Sequence, residues 1–251
     1  MNVGLTSVIV LAVLLGALVF GRWLRGLLPE AHLNADSKDT VRLAMGLVGT
    51  MTALVLGLLV SSAKSSYDTT RGEVLQMAAK VALIDRIFAV YGAEAAQARA
   101  LFREVQEGVI RQMWPEGRDQ RANLAPNVQA GNALYFAIQA LPAKDEPQRA
   151  IKAQLVSLVV DLAQIRTLLM VQSTPSISKP MLVIVIWWLV VIFVSFSLLS
   201  PANATANLAL VISAVSVAGA IFLILELDRP FRGMIRISSE PMVNALSQAG
   251  K

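Results

Sequence analysis

Residues 43–63 read LAMGLVGTMTALVLGLLVSSA, with Arg42 before them and Lys64 after, and contain no ionisable side chain. A helix rises about 1.5 Å per residue, so about 20 apolar residues cross the roughly 30 Å hydrocarbon core of a bilayer. The stretch has that length and carries its charges only at its ends, the pattern of a membrane span. Working outward, residues 3–20 (VGLTSVIVLAVLLGALVF) are equally free of charge, and nothing ionisable occurs between Lys179 and Glu226. That last stretch is too long for one span, and Pro201-Ala202-Asn203-Ala204-Thr205 places turn residues near its middle. Four spans are therefore expected, at about 3–24, 42–63, 181–200 and 204–226. The first does not fit a cleaved signal peptide. Met1-Asn2 has no basic residue, and Arg22-Trp23-Leu24-Arg25 stands where small residues would precede cleavage.

The chain of 251 residues is 55% apolar and 16% charged, with net charge +5. Soluble domains carry about 25% charged residues. The insert 64–179 concentrates the charges, with 14 of the 22 Lys and Arg and 11 of the 17 Asp and Glu. Within it Leu101, Val105, Val109 and Met113 recur at helical spacing, as do Ile151, Leu155, Leu158, Leu162, Ile165 and Leu169. Asp145-Glu146-Pro147-Gln148 reads as the capped start of the second of these helices. A short helix is expected near 129–141, ending at Leu141-Pro142. From Lys64 to Tyr91 there is no proline, so the second span is expected to continue as one helix into the insert. Strand patterns are absent. The fold class is thus an all-α membrane protein, four transmembrane helices with a helical soluble insert between the second and third. Its parts are a first helix pair (1–63), the insert (64–179), a second helix pair (180–227) and a basic amphipathic C-terminal tail (228–251).

With four spans both termini and the insert share one side. Lys64, Arg71, Lys179, Arg229, Arg232 and Arg236 lie near the membrane on that side, against Arg22, Arg25, Lys38 and Arg42 on the other. The balance favours cytoplasmic termini and a cytoplasmic insert. The basic excess therefore reads as topology. It does not indicate a nucleic-acid surface.

On the second span, Gly46, Gly49 or Thr50, Ala53, Gly57 and Ser61 recur every three or four residues and lead to Lys64, so they share one face. Small residues allow close helix packing, the role expected of Gly46 and Gly49. The same face can line an aqueous path in an oligomer. Hydroxyls of Thr50, Thr52, Ser61 and Ser62 replace part of an ion's hydration shell, and Leu54 or Leu58 provides a dewetting constriction. The pore-lining candidates are Thr50, Ala53, Leu54, Gly57, Leu58, Ser61 and Lys64. Lys64 and Arg42, at the two ends, would form positive rings that favour anions; snorkelling anchors are the alternative. Glu226, Asp228, Arg229 and Arg232 are expected to form ion pairs at the membrane edge, and RPFRGMIRI (229–237) suits an anionic membrane surface. His32 is a lone loop histidine and Trp23, Trp187 and Trp188 suit interfacial belts or packing. No GxSxG, HExxH or Walker motif occurs, and there is no cysteine, so no catalytic residue, metal site or cofactor is assigned.

The segments LPEAHLNADSKDTVRLAMGLVGTMTALVLGLLVSSAKSSYD (28–68) and FLILELDRPFRGMIRISSEPM (222–242) resemble the bacterial bestrophin-like domain family. The resemblance implies likeness to bestrophins, pentameric anion channels whose second helix lines the pore and continues into a cytoplasmic helical domain. It implies a homo-oligomer, a pentamer by that likeness, in the bacterial cytoplasmic membrane, with the lipid bilayer and an inorganic ion as partners. One departure is plain: bestrophin necks carry aromatic rings, and this chain has no Phe, Tyr or Trp between Arg42 and Ser66. The aromatic gate is therefore not carried over. A non-conducting membrane scaffold or sensor, whose insert binds a cytoplasmic partner, is the alternative.

Overall fold

The computed structural model describes residues 3–29, 35–115, 122–172, 178–201 and 203–248. Among the described residues eight α-helices follow in order: α1 (Val3–Leu27), α2 (Ala35–Tyr91), α3 (Ala96–Met113), α4 (Val128–Gln139), α5 (Glu146–Gln172), α6 (Lys179–Leu199), α7 (Ala204–Leu227) and α8 (Glu240–Gln248). No strand occurs among the described residues. Five helices, α1, α2, α5, α6 and α7, are long and apolar enough to cross a membrane. α5 is the addition to the sequence expectation. It meets the length and hydropathy conditions because its apolar positions are dense; one stripe of them enters the core described below, while Val160, Leu168, Met170 and Val171 are exposed. The chain divides into two compact units, residues 1–66 with 176–228 and residues 67–175 with 229–251.

In the first unit α1 packs against α6 and α7. Val10, Leu14, Ala17, Leu18 and Gly21 form its buried stripe, at the three- and four-residue spacing of a single helix face. The closest approach is at Gly21, where a Cβ would stand 2.5 Å from the Val194 carbonyl oxygen and 2.9 Å from Ser197 Cβ. Beside it Ser197 Oγ donates to the Leu18 carbonyl at 2.6 Å, in a fully buried position. A glycine and a serine facing each other are what close helix association in a bilayer requires. Gly21→Ala is expected to force α1 and α6 apart and lower stability by about 1–3 kcal/mol. A thermal-unfolding midpoint in detergent equal to that of the parent would contradict this. The α6–α7 turn is fixed by Asn203, whose side chain accepts from Ala206 N–H at 2.7 Å and caps α7. Arg22 and Arg25 of α1 reach Asn207 and the Ser200 carbonyl at the same turn.

α2 runs unbroken for 57 residues, as the absence of proline implies. Its end is set by Gly92, whose φ of 100° is a left-handed conformation that a side chain resists. The second unit packs the later part of α2 with α3, α4, α5 and α8 around one apolar cluster that includes Val74, Met77, Val81, Ile84, Phe88, Phe102, Val109, Met113, Leu155 and Leu169. The α5 stripe is buried at Leu155, Leu162, Ile165 and Leu169, with Ile151 and Leu158 packed at its margin. Its cap forms as expected: Asp145 accepts from Gln148 N–H at 2.8 Å, and Gln148 accepts from Lys144 N–H at 2.8 Å. On α3 the register is offset. Ala98, Phe102, Gln106, Val109 and Met113 are buried, while Leu101 and Val105 are only partly covered. Lys80 on α2 meets Asp161 on α5 at 2.7 Å, and Lys152 closes the end of α4 by donating to the Gln139 and Leu141 carbonyls.

The C-terminal segment differs from the amphipathic tail expected at a membrane surface. Residues 229–239 form turns and extended chain, followed by α8, and they belong to the second unit. Ile237, Met242 and Ala245 enter its core, Trp114 Nε1 donates to the Ile237 carbonyl at 2.8 Å, and the Trp114 and Phe231 rings meet edge to face. Within RPFRGMIRI, Ile237 is buried in this core and Phe231 packs at its margin, while Met234 is exposed.

Candidate pore-lining face

The first half of α2 has two unlike sides. Thr52, Leu59 and Ala63 are buried on one. On the other, Gly46, Thr50, Ala53, Leu54, Gly57, Leu58, Ser61 and Lys64 are all exposed within the protomer, and Gly49 is half-buried. Leu54 and Leu58 are 66% and 63% exposed, in line with Leu43 and Leu47. This side of α2 is left apolar and open within the protomer. A Cβ built on Gly46, Gly49 or Gly57 meets nothing within 4 Å, in contrast to Gly21. These three glycines therefore make no close helix contact inside one protomer.

The hydroxyls separate accordingly. Thr50 Oγ1 donates to the Gly46 carbonyl at 2.9 Å, which satisfies its hydrogen and leaves its oxygen lone pairs turned outward. Thr52 Oγ1 donates to the Val48 carbonyl at 2.7 Å and is buried on the opposite side. Ser61 and Ser62 are exposed. Before the charge-free run Arg42 pairs with Asp39 at 3.1 Å, an exposed contact of small energetic weight.

At the end of α7 Glu226 is 2% exposed, Asp228 is half-buried and its N–H bonds to the Ile224 carbonyl; Arg229 is half-buried and Arg232 exposed. Trp23 and Trp187 are exposed and Trp188 half-buried. His32 lies outside the described residues. Among the described residues no group of three or more His, Cys, Asp or Glu is placed to hold a metal.

Two clusters escape a reading of motifs. Asp85 is fully buried and holds Arg99 and Arg103. Arg166 is buried beside a cavity. Both break an apolar helix stripe with a charge, Asp85 between Ile84 and Phe88 and Arg166 after Ile165, which is the signal that could have found them.

The bestrophin-like domain matches residues 8–242. Two crystal structures of a bacterial bestrophin homologue from Klebsiella pneumoniae, carrying a leucine-to-threonine and an isoleucine-to-threonine mutation respectively, superpose with TM-scores of 0.70 and 0.69. Each shares 14% sequence identity with the chain and covers 99% of it, over 97% of the homologue. Such a likeness shows the fold. No curated protein matches the chain.

Proposed function

The chain belongs to the bestrophin-like family, and from that premise we propose that it is an oligomeric ion channel of the bacterial cytoplasmic membrane, anion-conducting, with the first half of α2 lining the pore. The observation that carries this reading is the open side of α2, where Gly46, Thr50, Ala53, Gly57 and Ser61 alternate with Leu54 and Leu58 and end at Lys64. Repeated around a symmetry axis, the small residues give width, the hydroxyl oxygens partly replace hydration, and the leucines form a dewetting constriction. A ring of Lys64 side chains at one mouth raises the local anion concentration. In this reading α1, the first half of α2, α6 and α7 span the bilayer, and the termini and the helical insert are cytoplasmic. α5 stays with the insert because its apolar stripe is committed to the core and its length includes Asp161 and Arg166.

Purified protein in liposomes is expected to release chloride faster than empty vesicles, and Lys64→Glu is expected to lower the anion-to-cation permeability ratio by roughly tenfold or more through reversal of the ring's sign. Leu54→Ala and Leu58→Ala should raise flux by widening the constriction. A monodisperse oligomer that passes no ion would sink the proposal, and a stoichiometric cytoplasmic partner captured by such a preparation would favour a scaffold.

A further inference from the structure

Among α3, α4 and α5 of the second unit lies a cavity of about 320 Å³. Leu101, Val105, Leu134 and Val159 supply apolar wall, the partly covered α3 residues having been displaced from the core by the offset register. Arg166 lines the same cavity and is only 7% exposed. Its Nη2 donates to Gln112 Oε1 at 2.8 Å and to the Ala125 carbonyl at 3.1 Å. Its Nε is buried without a hydrogen-bond partner, and no carboxylate of the described residues pairs with it. A buried guanidinium is ordinarily paired, because arginine stays charged and removing that charge from water is costly. Burial alone lowers the proton affinity of this group, with no anion opposing it. Glu104 and Arg111, also at the cavity, are exposed, and Arg111 lies 3.8 Å from Glu107, so Arg166 is the one buried charge in the wall.

We propose that this cavity binds a small amphipathic carboxylate, its carboxylate oxygens accepting from Arg166 and from the Gln112 amide, its hydrocarbon against Leu101, Val105, Leu134 and Val159. The volume is at the small end of ligand sites, and a half-open cleft with a mainly apolar wall and few convergent polar groups is consistent with their usual make-up. An inorganic anion would leave the apolar wall unused. A neutral molecule would leave the guanidinium uncompensated. The site lies within the insert and stands independently of whether the chain conducts.

The test is calorimetric titration of the full chain in lipid nanodiscs with hexanoate, 1-hexanol and inorganic phosphate, with empty nanodiscs as the partition control. Hexanoate is expected to saturate at one per protomer, with hexanol and phosphate at least roughly tenfold weaker, as the loss of a charge-assisted bond or of the apolar contact implies. Arg166→Gln should weaken hexanoate by roughly tenfold or more. Gly108→Leu is the second variant: Gly108 lines the cavity in mid-α3, a Cβ there meets nothing within 4 Å, and leucine favours the helix, so it fills the space without unfolding the unit. It too should weaken hexanoate by roughly tenfold or more. Absence of saturable hexanoate binding overturns the proposal. So does binding unchanged by Gly108→Leu, which would place the ligand elsewhere in the chain, or phosphate binding as tight as hexanoate, which would make this a simple anion site.

Discussion

Phe102→Ala is expected to cost the second unit about 3–5 kcal/mol, the range for truncating a buried aromatic side chain. Phe102 is fully buried and its ring centre lies 5.8 Å from that of Phe88, tilted by 45°. The pair joins α2 to α3 within the cluster that α5 completes. Collapse into the vacated space is opposed by the polar ties between the same helices, Lys80 to Asp161 and Arg99 and Arg103 to Asp85. The cavity therefore persists, which is the condition for the upper part of the range. Hydrogen exchange on the full chain reads this locally. The slowest amides in 74–91, 98–113 and 155–169 should exchange roughly 10³–10⁴-fold faster, those of α1, α6 and α7 little changed. Unaltered exchange in the second unit would mean that its core does not hold at Phe102.

The course of the chain was largely legible because charge-free apolar runs and capped helices advertise themselves over short distances. The charge-free run 43–63, the absence of proline to Tyr91 and the box at Asp145 and Gln148 are all local signals, and each has its counterpart in the structure. What local periodicity could not carry was register and return. The row Leu101, Val105, Val109, Met113 is the more apolar one, yet the helix turns Ala98, Phe102 and Gln106 inward together with Val109 and Met113. The return of Ile237 to Trp114 joins residues 123 apart, and an amphipathic RPFRGMIRI looks the same whether its partner is lipid or protein. The small-residue stripe of α2 was visible from spacing alone. Its openness, with space beside Gly46, Gly49 and Gly57, was not, because spacing does not say which neighbours a helix lacks.

Asp85→Asn is expected to destabilise the second unit by about 3 kcal/mol, at the low end for breaking a buried ion pair from one side. Asp85 has no exposed surface. Arg99 donates to it through Nε at 3.0 Å and Nη2 at 2.5 Å, and Arg103 through Nε at 2.7 Å and Nη2 at 3.1 Å. Two forked guanidiniums from adjacent turns of α3 thus converge on one carboxylate of α2. Asparagine keeps the shape but offers one acceptor oxygen in place of two and turns an amide N–H₂ toward donors. Both arginines stay about 30% exposed, so water takes up part of the released charge, which holds the cost to the low end. The pH dependence supplies a second signature. Burial by itself would raise the carboxyl, but the hydrogen bonds and charges of Arg99 and Arg103 outweigh it and hold the group below its usual 3.8. A carboxylate depressed in the folded state contributes stability above its unfolded pKa and loses it as pH falls through the folded one. The parent should therefore lose this contribution below about pH 4, and the asparagine variant should lack that portion of the acid limb. Replacing all three groups with apolar side chains, Asp85→Leu with Arg99→Met and Arg103→Met, should recover most of the loss, because no charge is then left unpaired. Failure of that triple variant to exceed Asp85→Asn in denaturant resistance would show that packing around residue 85, not the ion pairs, sets the cost.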